Sequence, residues 1–288
     1  MQQATTFALL AIGLACLVWN WQHSPVIAVA GFVAVWLVHS PFLAFEFVLL
    51  RLLGRDATVP HPSWADVVRA WWGETWTGPR VFCWRQPFRW RAEPDSLALA
   101  PGRRGLVFVH GFVCNRGFWN PWLREFRAAG HPFVAVNLEP VAGSIDDYAP
   151  TIDDAVRRVT QAGGGLAPVI VCHSMGGLAA RAWLRHADAA RAHHVVTIGS
   201  PHQGTWLGRF SHTVNGRQMR LHSRWVDQLA SSPSAVPFTC WYSNCDNIVF
   251  PASTATLPGA DNRLVRGIAH VQLAFVPEII EHTRRLLV

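Results

Sequence analysis

The chain has 288 residues, half of them apolar, which is enough for one sizeable domain with a large core and an appendage. Charged residues make up only 15%, against roughly 25% in an average soluble protein, and the deficit is concentrated in the first fifty positions. The formal net charge of +7 comes from scattered arginines with no nucleic-acid-reading module beside them, so no nucleic-acid partner is expected.

Residues 7–21 carry no charge, and residues 26–50 carry only Glu46. Both stretches approach or exceed the length that crosses a hydrocarbon layer, and the short "QHSP" between them reads as a tight connection. We read residues 1–53 as a transmembrane helical hairpin, with Pro41 placed to kink its second span. A signal peptide is the alternative for the first stretch, although a basic start and a small-x-small cleavage site are missing. Arg51 and Arg55 follow the second span directly and favour its cytoplasmic side, which places the remaining chain on the inner face of a bacterial inner membrane. Glu46 is tolerable near headgroups or against protein.

Residues 54–104 are rich in proline, glycine, tryptophan and arginine and read as a connector with one or two short strands leading into the next domain. Within it, "RVFCWRQPFRWR" alternates basic and aromatic residues, as suits either a packed surface or a contact with anionic headgroups.

From residue 105 to the end, strands and helices alternate. "GLVFVH" (105–110) is the first strand, and Asn120-Pro121 is a good helix start that Gly130 later stops. "FVAVNL" (133–138) is a second strand, residues 151–160 are helical, and "APVIVCH" is a third strand that leads into a helix from Met175. "HVVTIG" (194–199) and "FTCWYS" supply further strands, and a terminal helix begins just beyond His270. This order predicts a mostly parallel sheet covered by helices on both faces. Residues 202–236 interrupt it as a candidate lid, or else as a packed surface insertion.

Six cysteines do not form a disulfide framework. Cys16 reads as an apolar residue, and Cys83, Cys114, Cys172, Cys240 and Cys245 as free thiols, with a Cys240–Cys245 bridge open only for an exported chain. No metal-ligand pattern stands out, and no cofactor is expected.

Ser174, Asp246 and His270 each follow a predicted strand, so their loops converge at one edge of a parallel sheet. A serine alcohol needs a base to take its proton during attack, which His270 can do while Asp246 orients the imidazole and stabilises its cation. Gly176 and Gly177 let strand and helix approach closely and leave Ser174 on a strained elbow; the plain alternative is a serine that only caps the helix. The backbone amides of Met175 and Phe112 are the candidate oxyanion donors.

Taken as an ordered set, "HGF" (110–112), "CHSMGG" (172–177), "TIGSPHQGT" (197–205), "CDNIV" (245–249) and "GIAH" (267–270) resemble bacterial triacylglycerol lipases and related esterases of the alpha/beta-hydrolase superfamily. The resemblance covers about residues 103–286 and implies the alpha/beta-hydrolase fold, a nucleophile at Ser174, the acid of a triad at Asp246, the general base at His270 and oxyanion amides from Phe112 and Met175. It also implies structural places for His173 and His202 and, as activity, a serine hydrolase of lipid metabolism that acts on lipidic or apolar esters. The usual G-x-S-x-G starts here with Cys172, which weakens the motif without touching the nucleophile. An acyltransferase with the same triad and a membrane-held binding protein on the same fold are the alternative functions.

Overall fold

The computed structural model describes residues 2–231 and 235–288. Its N-terminal part is helical: α1 (Gln2–Trp21), α2 (Pro25–Trp36), α3 (His39–Leu53) and α4 (Trp64–Pro79), the last running on through a π-helical turn, Arg80–Arg85, to the short α5 (Gln86–Phe88). α1 and α2 form a tight antiparallel pair. Ser24 starts α2 by accepting from the Ile27 amide, with Pro25 in its first turn. Glycines bring the two helices close: a Cβ on Gly31 would sit 2.4 Å from the Cys16 sulfur, and one on Gly13 3.0 Å from the Phe32 ring.

α1 is long and apolar enough to cross a membrane, and α2 and α3 qualify only if counted as one element, bent by 48° at the break between them. The break falls at residues 37–38, ahead of the kink expected at Pro41, which lies inside α3. Residues 54–104, expected as a connector with short strands, instead contain α4, and they pair with the sheet through an isolated bridge from Ser96 to Phe133. Ser63 and Asp66 close a reciprocal capping box that nucleates this helix.

The remainder alternates strand and helix: β1 (Leu106–Val109), α6 (Asn120–Ala128), β2 (Phe133–Ala135), α7 (Ala149–Ala162), β3 (Val169–His173), α8 (Met175–Leu184), β4 (His194–Ile198), α9 (Val214–Gln218), α10 (Arg224–Ala230), β5 (Phe238–Ser243), β6 (Asp261–Val265), α11 (His270–Leu273) and α12 (Pro277–Arg285). All six strands pair in parallel, in the order β2-β1-β3-β4-β5-β6. Asn120 does not cap α6 with its side chain; its amide donates to the Arg89 carbonyl and ties the helix to the N-terminal region.

Alternate side chains of each strand enter different cores, as the two-residue period of a strand requires. Val107, Val109, Ile170 and Cys172 pack with α7 and α8, whereas Leu106, Phe108, Val169 and Val171 pack with α6 and α12. The second core is strongly aromatic: Phe108 lies 5.2 Å from Trp119 and 5.9 Å from Trp122, ring centre to ring centre. Burying each such ring contributes roughly 1.5–3 kcal/mol, and Trp122 also donates its indole N–H to the Ala274 carbonyl at 2.8 Å, tying α6 to the chain just after α11. The six cysteines are all free, so the Cys240–Cys245 bridge is not formed.

Candidate active site

Ser174 stands between β3 and α8 with φ +55° and ψ −126°. Few non-glycine residues adopt such angles, and they persist only where the surroundings enforce them. Here the Ser174 amide donates to the Ile198 carbonyl on β4 at 2.9 Å, and a Cβ on Gly176 would come within 2.4 Å of the Val109 carbonyl oxygen. One on Gly177 would lie 2.3 Å from the Ser200 hydroxyl. Strand and helix meet at this corner only because both positions lack side chains. The Ser174 side chain makes no capping bond to α8, which argues against a serine that serves only as a cap.

Asp246 follows β5, and His270 opens α11. The His270 Nδ1–H donates to Asp246 Oδ2 at 2.8 Å, and the other carboxylate oxygen accepts from the amides of Ile248 and Val249 at 2.9 and 2.7 Å. Both side chains are almost completely buried, and Ser174 and His270 line one cavity. Burial alone would lower the His270 pKa, but Asp246, and after it Glu74 and Glu46, outweigh this and raise it above the ordinary histidine value. Gly199, with φ +57°, backs the pair; a Cβ there would meet Asp246 Oδ2 at 2.9 Å and His270 Nδ1 at 3.1 Å.

The neighbouring histidines have other work. The His173 Nε2–H donates to the His270 carbonyl at 3.1 Å, and its ring stacks on Phe118. Burial, helped by the charge of His270, pushes its pKa well down, so it braces the site as a neutral ring. His110 accepts from the Leu138 amide at Nε2 and donates from Nδ1 to the Gly111 carbonyl at 2.9 Å. That second bond holds the Gly111 oxygen to one side, and in a trans peptide the Phe112 N–H must then point to the other. Val113, next along, has φ +57°, a second strained residue at the same rim. Met175 opens α8, so its N–H has no partner within the helix. His202 lies outside this cavity, buried, with Nε2 at 3.0 Å from the Thr197 hydroxyl. Cys172 is fully buried and its thiol is pushed up by burial, which leaves no thiolate for catalysis.

The helices before residue 90 bring two further carboxylates to the rear of the site. Glu46 on α3 accepts from the Asn247 side chain at 2.7 Å, and Asn247 in turn accepts from the His270 amide at 3.3 Å. Glu74 on α4 accepts from the amides of Val271 and Gln272, at 2.9 and 3.1 Å, in the first turn of α11. Burial pushes the Glu74 carboxyl up to about 7, against the opposing pull of the Val271 amide and the charge of His270. The sequence reading assigned no role to either residue, yet a lone carboxylate in a long apolar run was a signal for Glu46. Glu74 had no such mark.

A pH dependence follows. A carboxyl whose folded pKa lies above its free value of 4.5 adds stability below pH 4.5, and this is lost as pH rises through about 7. His270 is raised as well, so its share is likewise present at low pH and lost as pH rises through its folded value. Since ionised Glu74 favours the imidazolium, Glu74→Gln is expected to move the acid limb of the kcat/KM profile to lower pH. An unchanged limb would show that Glu74 does not reach His270 electrostatically.

The cavity of about 450 Å³ in front of Ser174 is walled largely by α1, the α2–α3 break and its flanks, and α4, and no described residue of 202–236 lines it. The stretch expected as a lid or a packed surface insertion holds α9 and α10, pinned to the sheet domain by Asn215 on the Val141 carbonyl and Gln218 on the Ile145 amide. Residues 232–234 of that stretch lie outside the described residues. Among the described residues, no group of three or more His, Cys, Asp or Glu is placed to hold a metal ion.

Residues 106–279 match the alpha/beta hydrolase family, the greater part of the chain. The chain belongs to that family. Among solved structures, this hydrolase is similar to the mature lipase BlEst2 of Bacillus licheniformis, with a TM-score of 0.58 and 17% identity over 68% of this chain and 96% of that one. It is also similar to Aspergillus fumigatus lipase B, with a TM-score of 0.52 and 18% identity over 62% of this chain and 49% of that one. At such identity these likenesses concern the fold. No curated protein sequence matches the chain.

Proposed function

We propose that this hydrolase is a membrane-anchored carboxylesterase acting on apolar, lipidic acyl esters through an acyl-enzyme on Ser174. The observation that carries the reading is the His270–Asp246 pair, held at 2.8 Å, with His270 lining the same cavity as a serine on a strained elbow. With Nδ1–H given to Asp246, the Nε2 of His270 is the free base. It takes the Ser174 proton as Oγ bonds to the ester carbonyl carbon, and the charge on the carbonyl oxygen goes to the Phe112 and Met175 amides. Collapse breaks the bond to the alcohol, which leaves with the proton from His270. Water then repeats the sequence on the acyl-enzyme, releases the acid and restores Ser174.

The apolar acyl preference rests on the cavity wall, where Leu9, Trp36, Phe42, Leu43 and Phe82 face the space before Ser174. The membrane reading rests on α1 and the bent α2–α3 pair, whose outward faces expose Phe7, Ile12, Val18, Val26, Ile27 and Phe45. Trp64, Trp72, Trp76 and Trp84 are more than two-fifths exposed along α4 and the turn after it, as befits a helix lying at the headgroup level. Arg51 and Arg55, directly after α3, favour the cytoplasmic side of an inner membrane.

The test is a series of p-nitrophenyl esters of increasing chain length offered to the detergent-solubilised protein. Each buried CH₂ is worth about 0.8 kcal/mol, so kcat/KM is expected to climb by up to about fifteenfold per two carbons until the chain outgrows the cavity. A flat series, or the highest rate on acetate, would overturn the apolar acyl preference.

A further inference from the structure

The cavity before Ser174 has walls of two origins. Gly111, His173, Ser174 and His270 belong to the hydrolase domain, whereas Leu9, Val38, Phe42, Leu43 and Phe82 belong to the helices ahead of it. Two of these locate the mouth: Val38 and Phe42 line the cavity and are also 61% and 64% exposed. Their exposed neighbours along the same helices, Val33, Phe45 and Val48, are apolar too, so the opening lies within the apolar outer face.

The mouth coincides with the break between α2 and α3. A sharp bend in a helix frees backbone carbonyls, which in a bilayer must find partners within the protein. His39 stands at the break with ring nitrogens 3.1 Å from the Trp36 carbonyl and 3.0 Å from the Thr75 carbonyl on α4, where the one N–H of a neutral ring serves either of the two. The break is thus a braced feature, and it separates the two helix segments at the level of the cavity. Farther in, the lining carboxylates are occupied: Glu46 by Asn247, and Glu74 by the amides of Val271 and Gln272. The walls therefore offer an incoming polar chain little to replace the hydrogen bonds it leaves in water, whereas a hydrocarbon chain moves from one apolar setting to another.

We propose that the α2–α3 break is a lateral portal, through which one acyl chain of a bilayer lipid passes from the hydrocarbon layer to bring its ester to Ser174. This rests on the proposed membrane seating of α1–α3 and on Ser174 as the nucleophile. It identifies the substrate as a membrane-borne long-chain ester and makes the anchor part of the binding site.

The full-length Ser174→Ala protein, reconstituted in phosphatidylcholine vesicles, can be photolabelled with one of two phosphatidylcholine probes. One carries a diazirine near the end of an acyl chain, the other in the headgroup. The tail probe is expected to label the inner wall, Leu43 and Phe82, and the headgroup probe is not. In the wild type, prior reaction with a long-chain alkyl fluorophosphonate is expected to abolish the label at Leu43 and Phe82 while leaving that at the outward Val48. Labelling confined to Val48 and other outward residues would overturn the portal. A short fluorophosphonate on the wild type separates the two readings. If it modifies Ser174 while the tail probe never reaches Leu43, the portal falls and the hydrolase stands. If the tail probe reaches Leu43 while Ser174 stays unmodified, the portal stands and the hydrolase reading falls.

Discussion

Ser174→Ala is expected to lower kcat/KM on a long-chain ester by about 10⁶-fold, the scale of losing the nucleophile from a serine triad. The elbow is set by the backbone, through the Ser174 amide on Ile198 and the lack of room for a Cβ at Gly176, and alanine tolerates φ +55° no worse than serine does. The Ser174 side chain makes no helix cap, so removing its hydroxyl takes no bond from α8. Fold and thermal midpoint should therefore persist while turnover disappears. Initial rates beside an unfolding curve separate the outcomes: lost activity with an unchanged midpoint is expected, and retained activity would remove Ser174 from the chemistry.

Asp246→Asn should cost about 10⁴-fold in kcat, as in triads where the acid is replaced by its amide. One oxygen of Asp246 accepts from the amides of both Ile248 and Val249. In the variant, those two donors claim the single amide oxygen and turn the NH₂ toward His270 Nδ1. The ring must then accept at Nδ1 and carry its proton on Nε2, the tautomer that has no lone pair for the Ser174 proton. NMR of the ring nitrogens is expected to show the switch from Nδ1–H to Nε2–H alongside the loss of rate. Nearly unchanged kcat would mean that the Asp246–His270 bond is structural only.

The hydrolytic domain was largely legible because its signals are local. "LVFV", "VIVCH" and "HVVTI" are runs built mainly of Val, Ile and Leu, as suits strands buried on both faces, and they became β1, β3 and β4. The serine, acid and histidine were placed at strand ends by order alone, and the structure brings Asp246 and His270 into contact and sets Ser174 in the same cavity. β6 was missed because "DNRLV" is an edge strand, half polar, with no apolar run to announce it. α4 was hidden by a tryptophan- and glycine-rich composition, although Ser63 and Asp66 spell a capping box. The cavity walls could not be read at all. Glu46 and Glu74 lie about two hundred positions from the residues they hold, and nothing in their spacing links them. Residues 202–236 read from their mixed polarity as a lid or a packed surface insertion, and that pattern could not tell the two apart; among the described residues, the cavity at Ser174 is walled largely by the helices ahead of residue 90.

The most direct test is covalent. A fluorophosphonate should attach one phosphonyl group per chain, found by mass spectrometry on the peptide bearing Ser174, and this should vanish in His270→Ala, where no base remains to draw off the alcohol proton. Modification at another residue, or equal modification of Ser174 without His270, would contradict a serine driven by that histidine.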